Sequence, residues 1–121
     1  MALVTTGGVH LRSQPPFDMV DPDGDPTWRE VPIAADRSEL TITHDYYDHH
    51  DAERDLNLVA PAERLREMVE RGVIGALHPI IVSFMGHIDG RHVETLRAKT
   101  APEAARGLAA AGVDYALLVP A

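Results

Sequence analysis

Three imidazoles and several carboxylates crowd into His44-Asp45-Tyr46-Tyr47-Asp48-His49-His50-Asp51, with Asp55 and Asn57 close behind. Imidazole and carboxylate together ligate zinc, iron or manganese, and such a set would draw on His44, Asp48, His49 and His50. The same two residue types also move protons, and the acids can hold an amino-acid ammonium group. No established zinc spacing such as H-E-x-x-H is present. The segment equally suits a polar loop whose carboxylates cap turns or the start of a helix. Asp21, Asp23 and Asp25 alternate as at the start of a calcium loop, but Pro26 follows where glycine is usual. Ile33 occupies the place of the twelfth-position glutamate, which argues against calcium. Gly7-Gly8 is a turn and not a G-x-G-x-x-G fingerprint, so no dinucleotide is implied. His10, His78, His87 and His92 stand alone in the sequence, where a surface or hydrogen-bonded core role is the ordinary one. His10 and His87 each follow a strand and a glycine, the place where open α/β sheets hold their ligands.

These residues need elements to position them. Ala2-Leu3-Val4-Thr5-Thr6 reads as a short buried strand ending at Gly7-Gly8, with Val9-His10-Leu11 continuing beyond. The proline-rich, acidic stretch from Ser13 to Thr27 reads as a surface loop. Trp28 to Ile33 and Leu40 to Thr43 have strand composition, so the His-rich segment begins at a strand end. Leu65, Met68, Val69 and Val73 recur at helical spacing, giving an amphipathic helix from about Pro61 to Arg71, closed by Gly72. Val73 to Leu77 and Pro79 to Met85 are apolar runs, of which one or both should be strands, the second ending at Gly86-His87. Thr100-Ala101-Pro102-Glu103 fits a capping box, followed by a helix to about Ala111 and Gly112. Val113 to Val119 then reads as a buried strand, and helix, glycine, strand in that order is the second half of a βαβ unit.

The 121 residues, 45% hydrophobic, suffice for one core, so a single domain is expected. Nineteen acidic against 11 basic residues give a net charge of −8, which repels phosphate backbones and anionic headgroups and makes nucleic acid and membrane surfaces poor partners. Ionising all seven histidines near pH 5 to 6 would bring the charge to about −1 and remove most of that self-repulsion. With no cysteine, disulfides, thiolate metal sites and thiol nucleophiles are excluded from the chain. The N-terminus lacks a basic region followed by a sustained apolar stretch, and a soluble cytoplasmic protein is the expectation.

The run from Ala2 to Leu11, then His44 with Tyr47-Asp48 and Asp51, then Asp55-Leu56-Asn57, resembles the selenoprotein B component of glycine-, sarcosine- and betaine-type reductases and the selenoprotein subunit of D-proline reductase. Pro61 to Gly75, Ser83-Phe84-Met85-Gly86, and Ala101-Pro102-Glu103-Ala104-Ala105 leading to Ala111-Gly112-Val113-Asp114 agree in order, so the resemblance covers nearly the whole chain and places it in the N-terminal part of that component. The resemblance implies reductive cleavage of a carbon–nitrogen bond by a selenolate or thiolate, with this region shaping the substrate pocket for a small amino acid or amine. It places that selenocysteine or cysteine immediately after the strand matching Val113 to Val119. The chain contains neither, so the redox residue is expected beyond Ala121 or in a thiol-bearing partner or reductant protein, because no histidine or carboxylate offers an equally soft, redox-active atom.

The fold expected is α/β, a mostly parallel sheet with flanking helices in Rossmann-like or flavodoxin-like layers, incomplete at the C-terminus because nothing follows the last strand to cover it. By carry-over the catalytic candidates are His10, His44 and Asp48. Thr5, Gly7, Gly8, Tyr47, Asp51, Asp55, Met85 and Gly86 are expected to line the substrate site. In this scheme Gly7 and Gly8 offer amides to a carboxylate, His44 or His10 handles protons, and Asp48 or Asp51 holds an amine. Two rival functions stay open: a His/Asp metal-binding protein, and a non-catalytic subunit that assembles into an oligomer through an exposed sheet edge or face.

Overall fold

The computed structural model of the chain describes residues 1–121, and it is α/β. Four strands form one sheet: β1 (Ala2–Thr5), β3 (Trp28–Pro32), β5 (Ile80–Phe84) and β6 (Ala116–Val119), in the order β3-β5-β1-β6. β1 runs parallel to both β5 and β6, with Val4 opposite Val82 and Leu118, while β3 joins the edge antiparallel, with Trp28 opposite Phe84. A separate antiparallel ribbon of β2 (Val9–Leu11) and β4 (Leu40–Ile42) delivers the chain to the His-rich segment. Gly8 makes the corner between β1 and β2: its φ is +68°, and a Cβ there would lie 2.5 Å from the Thr43 carbonyl oxygen, so only glycine fits.

Side chains alternate across the sheet, and its two faces differ sharply. Leu3, Val31 and Ile81 point to one side and are fully or almost fully buried with Val9, Leu40, Ala52, Val59, Ala60 and Leu65. Two helices, α1 (His50–Arg54) and α2 (Ala62–Glu70), close this core, each contributing one buried residue, Ala52 and Leu65. On the other face lie Val4, Val82, Phe84 and Leu118, opposite a long helical stretch made of α3 (Gly90–Thr95), a π-helical turn (Leu96–Thr100) and α4 (Ala101–Ala110). No residue of α4 is fully buried. Between α4 and the sheet runs an apolar groove of about 460 Å³, lined by 12 hydrophobic residues of 14, with Thr6 and Gly86 among its lining. No helix is long and apolar enough to cross a membrane.

Two expectations are corrected and a third is narrowed. Thr100 does not begin a helix: it sits inside the continuous helical stretch with helical dihedrals and makes no capping bond. The stretch had already started at Gly90, where the Asp89 carboxylate accepts the Gly90 amide at 2.7 Å. The strand read from Val113 is confined to Ala116–Val119 and is an edge strand, with Leu118 70% exposed and Tyr115 exposed before it, because nothing packs on its outer side. Of the two apolar runs after α2, only the second is a strand; Val73 to Leu77 is turn and irregular chain.

Burial sets three expected outcomes in urea unfolding. Ile81→Ala, at 2% exposure, should cost roughly 2–5 kcal/mol, whereas Leu118→Ala should change stability by less than about 1 kcal/mol. The Thr100 hydroxyl is buried without a hydrogen-bond partner, so Thr100→Val should raise the unfolding free energy by about 1 kcal/mol.

Candidate functional site

The C-terminal ends of the parallel strands converge on Gly86. A Cβ at Gly86 would lie 2.9 Å from His44 Nε2, 3.0 Å from the Ala121 carbonyl oxygen and 3.2 Å from the Thr6 carbonyl oxygen. The ends of β1, β5 and β6 and the His-rich segment therefore meet within the space of one methyl group. The Gly86 amide donates to His44 Nε2 at 2.9 Å, and the Tyr46 amide approaches Nδ1 at the longer distance of 3.3 Å. The shorter bond fixes the lone pair on Nε2 and the proton on Nδ1. With backbone N–H groups aimed at both ring nitrogens, an imidazolium would face donors on each side. The ring is almost fully buried, and burial, reinforced by His87 and His49, holds its pKa below the usual histidine value.

Around this ring the packing is aromatic. Tyr47 meets His44 edge to face at 4.7 Å and donates its hydroxyl to the Gly7 carbonyl at 3.1 Å; burial raises the Tyr47 phenol. Tyr46 stacks on His87 with ring centroids 3.7 Å apart, and His87 Nε2 lies 2.8 Å from the Pro22 carbonyl, where it donates. Met85 is completely buried and forms an isolated bridge with Gly7. Thr5 closes the other side: its hydroxyl donates to the Val59 carbonyl at 2.5 Å and accepts the Gly7 amide at 3.0 Å.

Of the residues singled out in the sequence, Thr5, Gly7, Gly8, His44, Tyr47, Met85 and Gly86 are thus brought together at the strand ends. The glycine amides, however, are not free for a carboxylate. Gly7 N–H is taken by the Thr5 hydroxyl, and Gly8 N–H donates to the Phe84 carbonyl at 2.9 Å. His10 is buried in the β2–β4 ribbon, with Nδ1 2.8 Å from the Leu11 carbonyl and Nε2 2.8 Å from the Thr43 hydroxyl; burial lowers its pKa. It is a satisfied core histidine in geometry. The acids lie outward. Asp48 is exposed, accepts the His50 amide at 3.1 Å ahead of α1 and pairs with the His50 ring at 2.6 Å. That hydrogen bond lowers the Asp48 pKa and raises that of His50. Asp51 is exposed at 3.8 Å from Arg54. Asp55 accepts the Asn57 amide and side chain, both at 3.0 Å, and lines a different cleft with Arg37, Arg54 and Arg66. His49 faces Glu53 at 2.8 Å. Asp48 and His50 pair with each other, but His44 and His49 do not join them, and no group of three or more His, Asp or Glu side chains is arranged to hold a metal ion.

Thr6, Tyr46 and His87 belong to the site as neighbours; of these only His87 stood out in the sequence, because it follows a strand and a glycine. Nothing in the spacing distinguishes Thr6 from Thr5. Strand alternation separates them: Thr5 turns inward, and Thr6 lines the apolar groove.

An open, mostly parallel sheet with its polar and aromatic side chains gathered beyond the carboxyl ends of the strands is the binding-site arrangement of α/β proteins. The family model for glycine/sarcosine/betaine reductase selenoprotein B matches residues 1–121. The chain belongs to that family. It is 36% identical over 118 residues to the D-proline reductase subunit gamma of Acetoanaerobium sticklandii, covering 98% of this chain and 47% of the relative. It is 32% identical over 122 residues to the glycine reductase complex component B subunit gamma of Carboxydothermus hydrogenoformans, covering 98% of this chain and 27% of the relative. The chain thus spans about half the length of one curated relative and about a quarter of the other. No solved structure matches it.

The two buried histidines give a signed pH dependence. Burial holds the folded pKa values of His10 and His44 below the ordinary histidine value of 6.5, so the unfolded chain takes up protons first as pH falls through 6.5. Stability should be full above that value and be lost progressively below it, toward the depressed folded pKa values. A second loss should begin as pH falls through the ordinary carboxylate value of 3.8, where the unfolded chain protonates Asp25 first: burial would raise this carboxyl, but in the fold hydrogen bonds from Thr27 and the Asp18 amide outweigh it and hold it lower. Urea midpoints measured from pH 8 to pH 3 check this; a curve flat between pH 7 and pH 5 would contradict the buried, neutral His44.

Proposed function

We propose that this chain is the substrate-pocket part of an amino-acid or amine reductase that cleaves a carbon–nitrogen bond reductively. The selenolate or thiolate comes from a residue beyond Ala121 or from a thiol-bearing partner protein. The observation that carries this reading is the convergence at Gly86: the chain beyond β6 passes over the C-terminal ends of β1 and β5, beside His44. Family resemblance puts the redox residue directly after this strand, and open α/β sheets bind their ligands at this end. The names of the two relatives, both reductase subunits, support membership of a reductase complex.

Within this reading the residues divide by what their atoms have free. His44 is a positioning residue, since both ring nitrogens already face backbone amides. The substrate lies over the strand ends, its apolar part against the mouth of the groove lined by Met85 and Gly86. Tyr46, about half exposed and stacked on His87, presents an aromatic face suited to an ammonium group. Exposed Asp48 and Asp51 contribute long-range attraction for that cation.

The test is the intact mass of the natural protein, read with its coding sequence beyond Ala121 and with the proteins that co-purify. A cysteine or selenocysteine within a few residues, or a thiol-bearing partner, together with amine release that alkylation abolishes, is the expected result. With no such residue and no such partner, the reductase reading falls. An assembly subunit pairing through the exposed β6 edge, with Leu118 70% exposed, would then account better for the chain.

A further inference from the structure

We propose that Thr6 is a positioning residue that clamps the chain on both sides of Pro120, and that Gly86 is kept free of a side chain to seat the clamped segment. The residue after β6 is thereby fixed at one place over the strand ends. The inference deepens the reductase reading and rests on it for its catalytic meaning, while the clamp itself stands on geometry.

The Thr6 amide donates to the Val119 carbonyl at 3.1 Å, extending the parallel ladder of β1 and β6 by one bond. In this register the next bond of the ladder would run from the Ala121 amide to the Thr6 carbonyl. The Thr6 hydroxyl takes over by accepting the Ala121 amide at 3.0 Å. One threonine therefore holds the residue before the proline with its backbone and the residue after it with its side chain. Beneath this segment Gly86 leaves the only room: its missing Cβ would crowd the Ala121 carbonyl oxygen, the Thr6 carbonyl oxygen and His44 Nε2 together. The Gly86 amide is in turn tied to His44, so the floor of the seat is fixed as well as its side. A nucleophile attached directly after the clamped Ala121 would inherit this placement, and holding a reacting group to within about an ångström is worth on the order of a hundredfold in rate.

The experiment has two arms. In the first, amide hydrogen exchange is followed by NMR in the chain as it is, in Thr6→Val and in Thr6→Ser. Thr6→Val should speed exchange at Ala121 by about five- to tenfold, the loss of one net hydrogen bond, and Thr6→Ser should restore it. The amides of Leu117 and Val119, which face β1 in the ladder, should keep their protection in all three, showing that the sheet is intact. Unprotected Ala121 in the parent chain, or protection indifferent to Thr6→Val, would overturn the clamp. Gly86→Ala offers an independent check: it should displace the Ala121 amide resonance and move the His44 ring nitrogens, whereas unchanged resonances would overturn the seat. In the second arm the natural reductase, with its own thiol or selenol, is assayed. Thr6→Val should lower kcat by about an order of magnitude or more with KM within about twofold, and Thr6→Ser should rescue it. An intact clamp in the first arm with no amine cleavage by the parent enzyme would defeat the reductase reading alone. Cleavage by the parent with kcat indifferent to Thr6→Val would defeat the positioning role alone.

Discussion

The bond from the Gly86 amide to His44 Nε2 joins the two parts of the molecule that carry its chemistry-bearing residues. β5 ends at Phe84, and without an acceptor the Gly86 amide would be buried against the ring that now receives it. The His-rich segment, for its part, leaves β4 as irregular chain, and His44 is the residue by which it is anchored to the sheet. The tautomer, the neutral state of the ring and the absence of a side chain at Gly86 are therefore one constraint. Tyr47 holding the Gly7 carbonyl, and Thr5 holding both the Gly7 amide and the Val59 carbonyl, extend it to the β1 corner and to the approach to α2.

The two faces of the sheet show how unevenly the stabilising burial is distributed. Leu3, Val31 and Ile81 sit in a core closed by α1, α2 and the β2–β4 ribbon, and each is surrounded on all sides. The opposite face is spanned by a helix whose facing residues are largely alanines, Ala101, Ala104 and Ala105, with Leu96 and Leu108 at intervals. Side chains this short do not reach Val4, Val82 and Leu118 across the gap. The outcome is a groove rather than a second core, and it opens at Thr6 and Gly86, where the site lies.

Much of this was legible in the residues, and the failures have physical causes. Strands β1 and β5 announced themselves because buried strands are short apolar runs bounded by glycine or proline, β3 by its strand-forming composition, and α2 because its apolar residues recur on one side. The start of the long helix at Gly90 was hidden: Arg91, His92 and Glu94 are polar, and the turn that follows is π-helical and breaks the ordinary period. Thr100 then imitated an N-cap in a place where the chain was already helical. At the site, composition drew attention to His44 and Tyr47, which lie together at the strand ends, but could not tell them from Asp48, Asp51 and Asp55, since a carboxylate that caps a helix and one that holds a ligand look alike in sequence. The amides of Gly7 and Gly8 were beyond reach for a related reason: whether a backbone donor is free depends on Thr5 and Phe84, which are placed by the fold.

The position of β1 in the sheet also has a consequence for biosynthesis. Its residues leave the ribosome before those of both partners, pairing on one side with β5 and on the other with β6, Val4 meeting both Val82 and Leu118. The central strand of the sheet must thus wait, unpaired, until β5 has been made and half-paired until β6 has, while the β2–β4 ribbon can form early from its own neighbourhood. Such late, long-range closure is slow and leaves an apolar strand exposed in the nascent chain. Ala2-Leu3-Val4 is the segment that a chaperone acting during translation would be expected to shield.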